Sequence, residues 1–208
     1  MPKIKKGKAH VLTATELRRL LKKVSELKYA KRDTLLILMS FGLGLRVLEL
    51  ASLKLYHVFN TDWSINENIS LVRTKGNKER MVYLPDPLDD PRIHHALEDY
   101  LEDRQEYAKN KNLIISHDST LFLSEKGTSF SNRTLQKRFE TLYKLAGIRG
   151  ASSHSGRRTY ATMLIENGID IKAVSTLMGH ASVAMTAQYV ENNPTRLKKI
   201  ASAALRFL

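Results

Sequence analysis

Cysteine is absent from all 208 residues. That absence excludes a disulfide framework, an iron–sulfur cluster and any thiolate zinc site. It fits a cytoplasmic protein without demanding one. Long apolar runs are missing too: no stretch approaches the roughly eighteen residues of a membrane helix, so no membrane-spanning role is expected. The lysine-rich start, Met1 to Lys8, lacks the apolar stretch of a secretory signal. Acidic residues are comparatively few, and they do not converge in a pattern suited to two-metal chemistry. Asp86, Asp89 and Asp90 bunch beside prolines, where a loop is the better reading, and adjacent His94 and His95 diverge on a helix. No metal and no other cofactor is expected. Internal repeats, low-complexity runs and a long linker are also lacking.

What is present begins with charge. Lysine and arginine number 34 against 21 acids, a net charge of +13. A field of that sign concentrates polyanions and speeds their association. Nucleic acid is the leading partner on this ground, with an anionic membrane surface second. Hydrophobic residues make up 42% of the chain, enough for a packed core rather than a disordered tail.

Most of the chain has helical periodicity. Thr13 and Glu16 have capping-box spacing, with Leu12 and Leu17 placed as a hydrophobic staple, and Leu17, Leu20, Leu21 and Val24 follow at helical intervals. Leu35, Leu36, Leu38 and Met39 belong to a nearly all-apolar, buried helix that ends at Gly42 and Gly44. A short amphipathic helix carries Arg46, Leu48, Leu50 and Leu53. The period then shortens: 69–72 and 81–84 read as two strands around the turn 74–78, closed by Pro85 and Pro87. A charged helix spans about 94–109, 121–123 suggests a further short strand, and Ser131 caps a helix through Lys144. Ser152 or Ser153 opens a helix ending at Gly168. Asp170 caps the next, ending at Gly179, and Ser182 caps a third that reaches Asn192–Pro194. A last amphipathic helix sets Leu197, Ile200, Ala201, Ala204, Leu205 and Leu208 on one stripe. The fold class is mainly α with a small antiparallel sheet. We divide the chain into a basic tail (1–10), one main domain (11–194) and a C-terminal helix (195–208).

Three short patterns have chemical interest. His154 and Arg157 are three apart, share a helix face and fall in a first turn, where free N–H groups favour an anion. Arginine's planar fork matches two phosphate oxygens, and histidine donates to phosphate or relays a proton. His180 follows the helix stop Leu177-Met178-Gly179, and Tyr189 lies on the next helix. Each pattern alone is as readily an exposed basic turn, a plain cap or a packing tyrosine.

Their order and spacing together are more specific. Gly44-Leu45-Arg46-Val47-Leu48-Glu49-Leu50 resembles the first arginine box of the tyrosine recombinase (phage integrase) family, and 74–80, with Lys75, resembles its hairpin lysine segment. His154 to Thr162 resembles the second box, and Leu177 through Tyr189 the third, so the resemblance runs from about Val11 to Pro194. It implies the family's catalytic-domain fold and site-specific recombination of double-stranded DNA through a 3′-phosphotyrosyl intermediate, without metal. By resemblance, Arg46 and Arg157 clamp the scissile phosphate and His180 adds a donor. Lys75 protonates the leaving 5′ oxygen, His154 is base or relay, and Tyr189 is the nucleophile, with Glu49 orienting Arg46. Lys78 and Arg80 either reach the DNA backbone or keep the hairpin soluble, and Arg133 and Lys137, one turn apart, are placed to reach a groove.

Family members usually carry a separate helical clamp domain before the catalytic one. Here the first helix begins almost at once, as expected either of part of a longer chain or of a minimal form similar in size to the fimbrial-switch invertases. The C-terminal stripe suits docking on a neighbouring protomer, giving dimers to tetramers on DNA with accessory DNA-bending proteins; docking in cis is the alternative. Type IB topoisomerase-like relaxation and non-catalytic DNA-binding regulation are the competing functions.

Overall fold

A computed structural model describes residues 9–72 and 79–190, and these divide into two compact units after Tyr160. The expected class holds: helices dominate, with one two-stranded antiparallel sheet among the described residues.

In the first unit α1 (Ala14–Ser25) starts as its sequence dictates. The Thr13 hydroxyl accepts from the Glu16 N–H at 3.2 Å, and the Glu16 carboxylate accepts from the Thr13 N–H at 2.8 Å. Leu12 is buried and Leu17 packs against the core, which completes the staple. α2 (Ala30–Gly42) is the central element, burying Leu35, Leu36, Ile37 and Met39 completely. Its first turn carries the buried Asp33, which is neutralised by Arg32 and by Arg138 of α6 (Asn132–Leu145). The chain then reverses through Gly44 at φ +62°, a left-handed conformation that favours glycine, and enters α3 (Val47–Ser52). A one-turn α4 (Leu55–Val58) follows.

β1 (Asn68–Val72) and β2 (Glu79–Tyr83) form the hairpin, in a register that sets Ile69 opposite Val82 and Leu71 opposite Arg80. Alternation buries Ile69, Leu71, Arg80 and Val82 and exposes Met81 and Tyr83. α5 (Arg92–Asn110) packs on α2 through Ile93, Ala96, Leu97 and Tyr100. The strand expected at 121–123 is replaced by isolated bridges, Lys54 with Thr120 and Leu123 with Ser129. The Arg104 guanidinium donates to the Thr120 and Leu121 carbonyls, so those acceptors are satisfied without a ladder. Ser131 caps α6 as expected, its hydroxyl accepting from the Thr134 N–H.

α7 (Ser155–Glu166) begins in this unit. Gly156 lies against α2: a Cβ there would meet Ser40 Cβ at 2.9 Å and Phe41 Cδ2 at 3.0 Å. The second box therefore contains a glycine where a side chain would collide with Ser40 and Phe41 of α2.

In the second unit Asp170 caps α8 (Ile171–Met178), its carboxylate accepting from the Lys172 and Ala173 N–H groups at 2.9 Å, and Gly179 ends it at φ +58°. The helix expected from Ser182 to about 192 is shorter. Only the single turn α9 (Ala184–Ala187) forms before 190, with Val183 rather than Ser182 at its N-cap and no side-chain cap. The Thr186 hydroxyl is engaged with His180, and β-branched Val183 and Thr186 add little helical propensity. The expected amphipathic helix at 195–208 lies outside the described residues, as do Lys75 and Lys78. Among the described residues no helix is long and apolar enough to cross a membrane.

Candidate active site

The first unit gathers three arginines on one carboxylate. Arg46 is extended (φ −76°, ψ 153°) at the start of α3, and Glu49 stands at the third helical position. That spacing folds the carboxylate back: Glu49 Oε2 accepts from the Arg46 backbone N–H at 2.7 Å and Oε1 from Arg46 Nη1 at 2.8 Å. A helix start thus becomes an arginine holder. The Arg46 side chain keeps 31% exposure, against 14% for Glu49, so its fork is fixed at one edge and open to a ligand at the other.

Arg157 comes from α7. Its Nη1 donates to the Gly44 carbonyl at 2.6 Å and stands 4.0 Å from Glu49 Oε2. The glycine turn before α3 and the carboxylate inside it therefore both orient the second arginine. Arg80 departs from expectation. It does not point outward from the hairpin: its side chain is 3% exposed, and Nη1 donates to Glu49 Oε2 at 2.7 Å. The reason is strand parity, since Arg80 shares the buried face of β2 with Val82.

Glu49 is accordingly a carboxylate amid cations. Burial works to raise its pKa, but the Arg80 charge, the Arg46 N–H and the Arg46 charge outweigh burial and hold it below the ordinary value. Tyr160, three residues after Arg157 in the same helix, is half-buried. Burial pushes its phenol up against the lowering effect of Arg80 and Arg157, which keeps it protonated.

His154 is solvent-facing just ahead of α7, whereas Arg157 is buried, so the two differ in environment despite their spacing. The His154 N–H donates to Ser152 Oγ at 3.3 Å, and its carbonyl accepts from the Arg158 N–H. Arg133 and Lys137 are exposed on α6. Among the described residues no group of three or more His, Asp or Glu gathers to hold a metal ion.

The second unit holds the remaining pair. His180 follows the left-handed Gly179, and its N–H donates to the Ser175 carbonyl at 3.0 Å. Its Nδ1 is 2.7 Å from Thr186 Oγ1, and its ring stacks with Tyr189 at 6.0 Å between centroids and 13° between planes. Thr186 is fully buried, so its hydroxyl holds the His180 ring at Nδ1. Sequence spacing does not single out Tyr160, Thr186 or the inward Arg80. For Tyr160 a signal existed in its i+3 relation to Arg157, and for Arg80 in strand alternation. For Thr186 there was none, because a turn separates it from His180.

The phage integrase family model matches residues 10–196. A curated relative, tyrosine recombinase XerA of Thermococcus onnurineus, is 31% identical across 95% of this chain and 64% of its own length. The crystal structure of XerA recombinase superposes with a TM-score of 0.74 at 28% identity, over 95% of this chain and 66% of that one. XerH site-specific recombinase, bound to its difH substrate before cleavage, gives 0.70 at 26%, over 96% and 56%. The chain thus spans a little under two-thirds of the length of the curated relatives it matches. It belongs to the phage integrase family, the tyrosine recombinases, and has the mainly helical fold of their catalytic domain.

Proposed function

We propose that this chain is the catalytic part of a site-specific DNA recombinase that cuts and rejoins double-stranded DNA through Tyr189. The observation that carries this is the pairing of Arg46 and Arg157, 111 positions apart in sequence, around Glu49. Two arginine forks set by one half-buried carboxylate suit the non-bridging oxygens of a phosphodiester. Phosphoryl transfer depends on in-line positioning and on neutralising charge at those oxygens, and fixed cations supply the second.

Tyr189 Oη attacks phosphorus, the bond to the 5′ oxygen breaks, and the DNA is left joined to the protein as a 3′-phosphotyrosine. Lys75 protonates the departing 5′ oxygen. The solvent-facing His154 accepts or relays the phenol proton, and His180 donates to a non-bridging oxygen. A 5′-hydroxyl from another strand then attacks the phosphotyrosine, restoring the phenol and a continuous strand. Because bond energy is stored in the protein–DNA link, no nucleotide is consumed. Arg133, Lys137 and Lys78 contact DNA outside the reacting phosphate, in keeping with the net charge of +13. The chain self-associates on DNA as a dimer to tetramer through the apolar stripe of its C-terminal segment, 195–208, and DNA-bending proteins assist. It works in the cytoplasm.

The test uses a library of synthetic duplexes with randomised sequence around a nick, so that the short cleaved fragment diffuses away. Wild-type protein is expected to form an adduct stable to detergent, and Tyr189→Phe to form none. Adduct in the variant places the nucleophile elsewhere. DNA binding with no wild-type adduct makes the protein a non-catalytic regulator.

A further inference from the structure

We infer that Arg80 is a positioning residue for strand cleavage, acting through Glu49 on Arg46 and Arg157; the inference rests on the recombinase reading above. The hairpin's parity puts Arg80 opposite Leu71 on the buried face, beside Val82. A cation in that place is costly to desolvate unless a counter-charge meets it, and Glu49 Oε2 meets it at 2.7 Å.

The division of labour on Glu49 gives the contact a consequence. Oε1 takes the Arg46 guanidinium, while Oε2 takes both Arg80 and the Arg46 backbone N–H, with Arg157 4.0 Å away. A carboxylate has one rotor for its two oxygens, so anchoring Oε2 from β2 fixes where Oε1 holds Arg46. Without Arg80, the carboxylate is able to turn toward Arg157 and draw that guanidinium off the phosphate. Arg80 also supplies charge. Its attraction is the largest influence opposing burial at Glu49, so its loss makes Glu49 easier to protonate. Among the described residues, charged or titratable groups facing this cluster include Arg46 from α3, Arg80 from β2, and Arg157 with Tyr160 from α7.

Arg80 is therefore not a phosphate contact, and the two roles separate experimentally. Single-turnover adduct formation on the nicked duplex library is measured against pH for wild type, Arg80→Gln, Arg80→Lys, Glu49→Gln and the double Gln variant, alongside DNA affinity at several salt concentrations. Arg80→Gln is expected to slow cleavage roughly tenfold or more in the wild-type background and less than about twofold over Glu49→Gln. The acid limb of the rate profile moves to higher pH in Arg80→Gln and returns toward wild type in Arg80→Lys. Affinity and its salt slope stay unchanged. Should Arg80→Gln fail to fold with Glu49 short of one counter-charge, the double variant, whose two amides are neutral, decides the matter against Glu49→Gln. Equal, multiplicative losses in both backgrounds overturn the proposal, as does a salt slope reduced by about 0.9, the mark of one lost phosphate contact. A wild type that binds the duplexes and forms no adduct overturns the recombinase reading and this proposal with it; a wild-type adduct with multiplicative losses overturns this proposal alone.

Discussion

Arg157 Nη1 donates to the carbonyl of Gly44 at 2.6 Å, joining the second arginine box to the turn that introduces the first. Since Gly44 is at φ +62°, its carbonyl direction is set by a backbone conformation that few other residues adopt. The second arginine is thus oriented by the geometry of the first box. Arg157→Lys keeps the charge but lacks a fork able to hold both the carbonyl and a phosphate. Cleavage is expected to fall roughly a hundred- to a thousandfold with little loss of DNA affinity; single-turnover rates and binding isotherms measured together check this.

Gly156→Ala brings a methyl group to 2.9 Å from Ser40 Cβ and 3.0 Å from Phe41 Cδ2. Relief requires α7 to move from α2, the helix that also carries the buried core residues Leu36 and Met39. We expect a loss of about 1–3 kcal/mol, measured by urea unfolding, and reduced cleavage because Arg157 is the next residue. Unchanged stability would mean that this helix contact is looser than its geometry.

Glu49 links stability to pH. Its folded pKa lies below the ordinary 4.5, so the folded state binds that proton less readily than the unfolded chain. The stabilisation is complete above the ordinary value and is lost as pH falls through the folded value. The stability difference between wild type and Glu49→Gln is therefore flat near neutrality and shrinks in acid. Denaturation of both proteins across that range measures it.

Thr186→Val preserves shape and removes the hydroxyl 2.7 Å from His180 Nδ1. The expected cost is about 0.5–1.5 kcal/mol of stability, with slower cleavage because the His180 ring is no longer held at Nδ1. Unfolding and adduct kinetics check both parts.

Tyr160 is a second phenol among the arginines, and burial keeps it protonated. Tyr160→Phe is expected to retain the covalent adduct, unlike Tyr189→Phe, in the same gel assay.

Local signals were the legible part of this fold. Thr13 with Glu16, Ser131 and Asp170 are caps whose partners lie within three residues, and all three start helices as read. Gly42, Gly44 and Gly179 likewise mark where helices stop. Signals that depended on a distant partner misled. Leu121 and Phe122 look like a strand, but Arg104 takes the Thr120 and Leu121 carbonyls that a strand partner would need. Ser182 looks like a cap, yet the turn beyond it is limited by Thr186, whose hydroxyl is committed to His180. Within the candidate site, the Arg46–Glu49 contact was implied by the family resemblance, and the i+3 spacing suits it. The inward turn of Arg80 did not follow from its basic neighbours Lys75 and Lys78; only the parity of Ile69, Leu71 and Val82 across the hairpin announces it.

The most direct measurement digests the trapped protein–DNA adduct with trypsin and sequences the nucleotide-bearing peptide, while the cleaved strand is tested for kinase labelling at its new 5′ end. The nucleotide is expected on Tyr189 through a 3′ phosphate, with a 5′-hydroxyl that accepts label. A nucleotide on Tyr160 or any other residue, or a 5′-linked protein, contradicts the account.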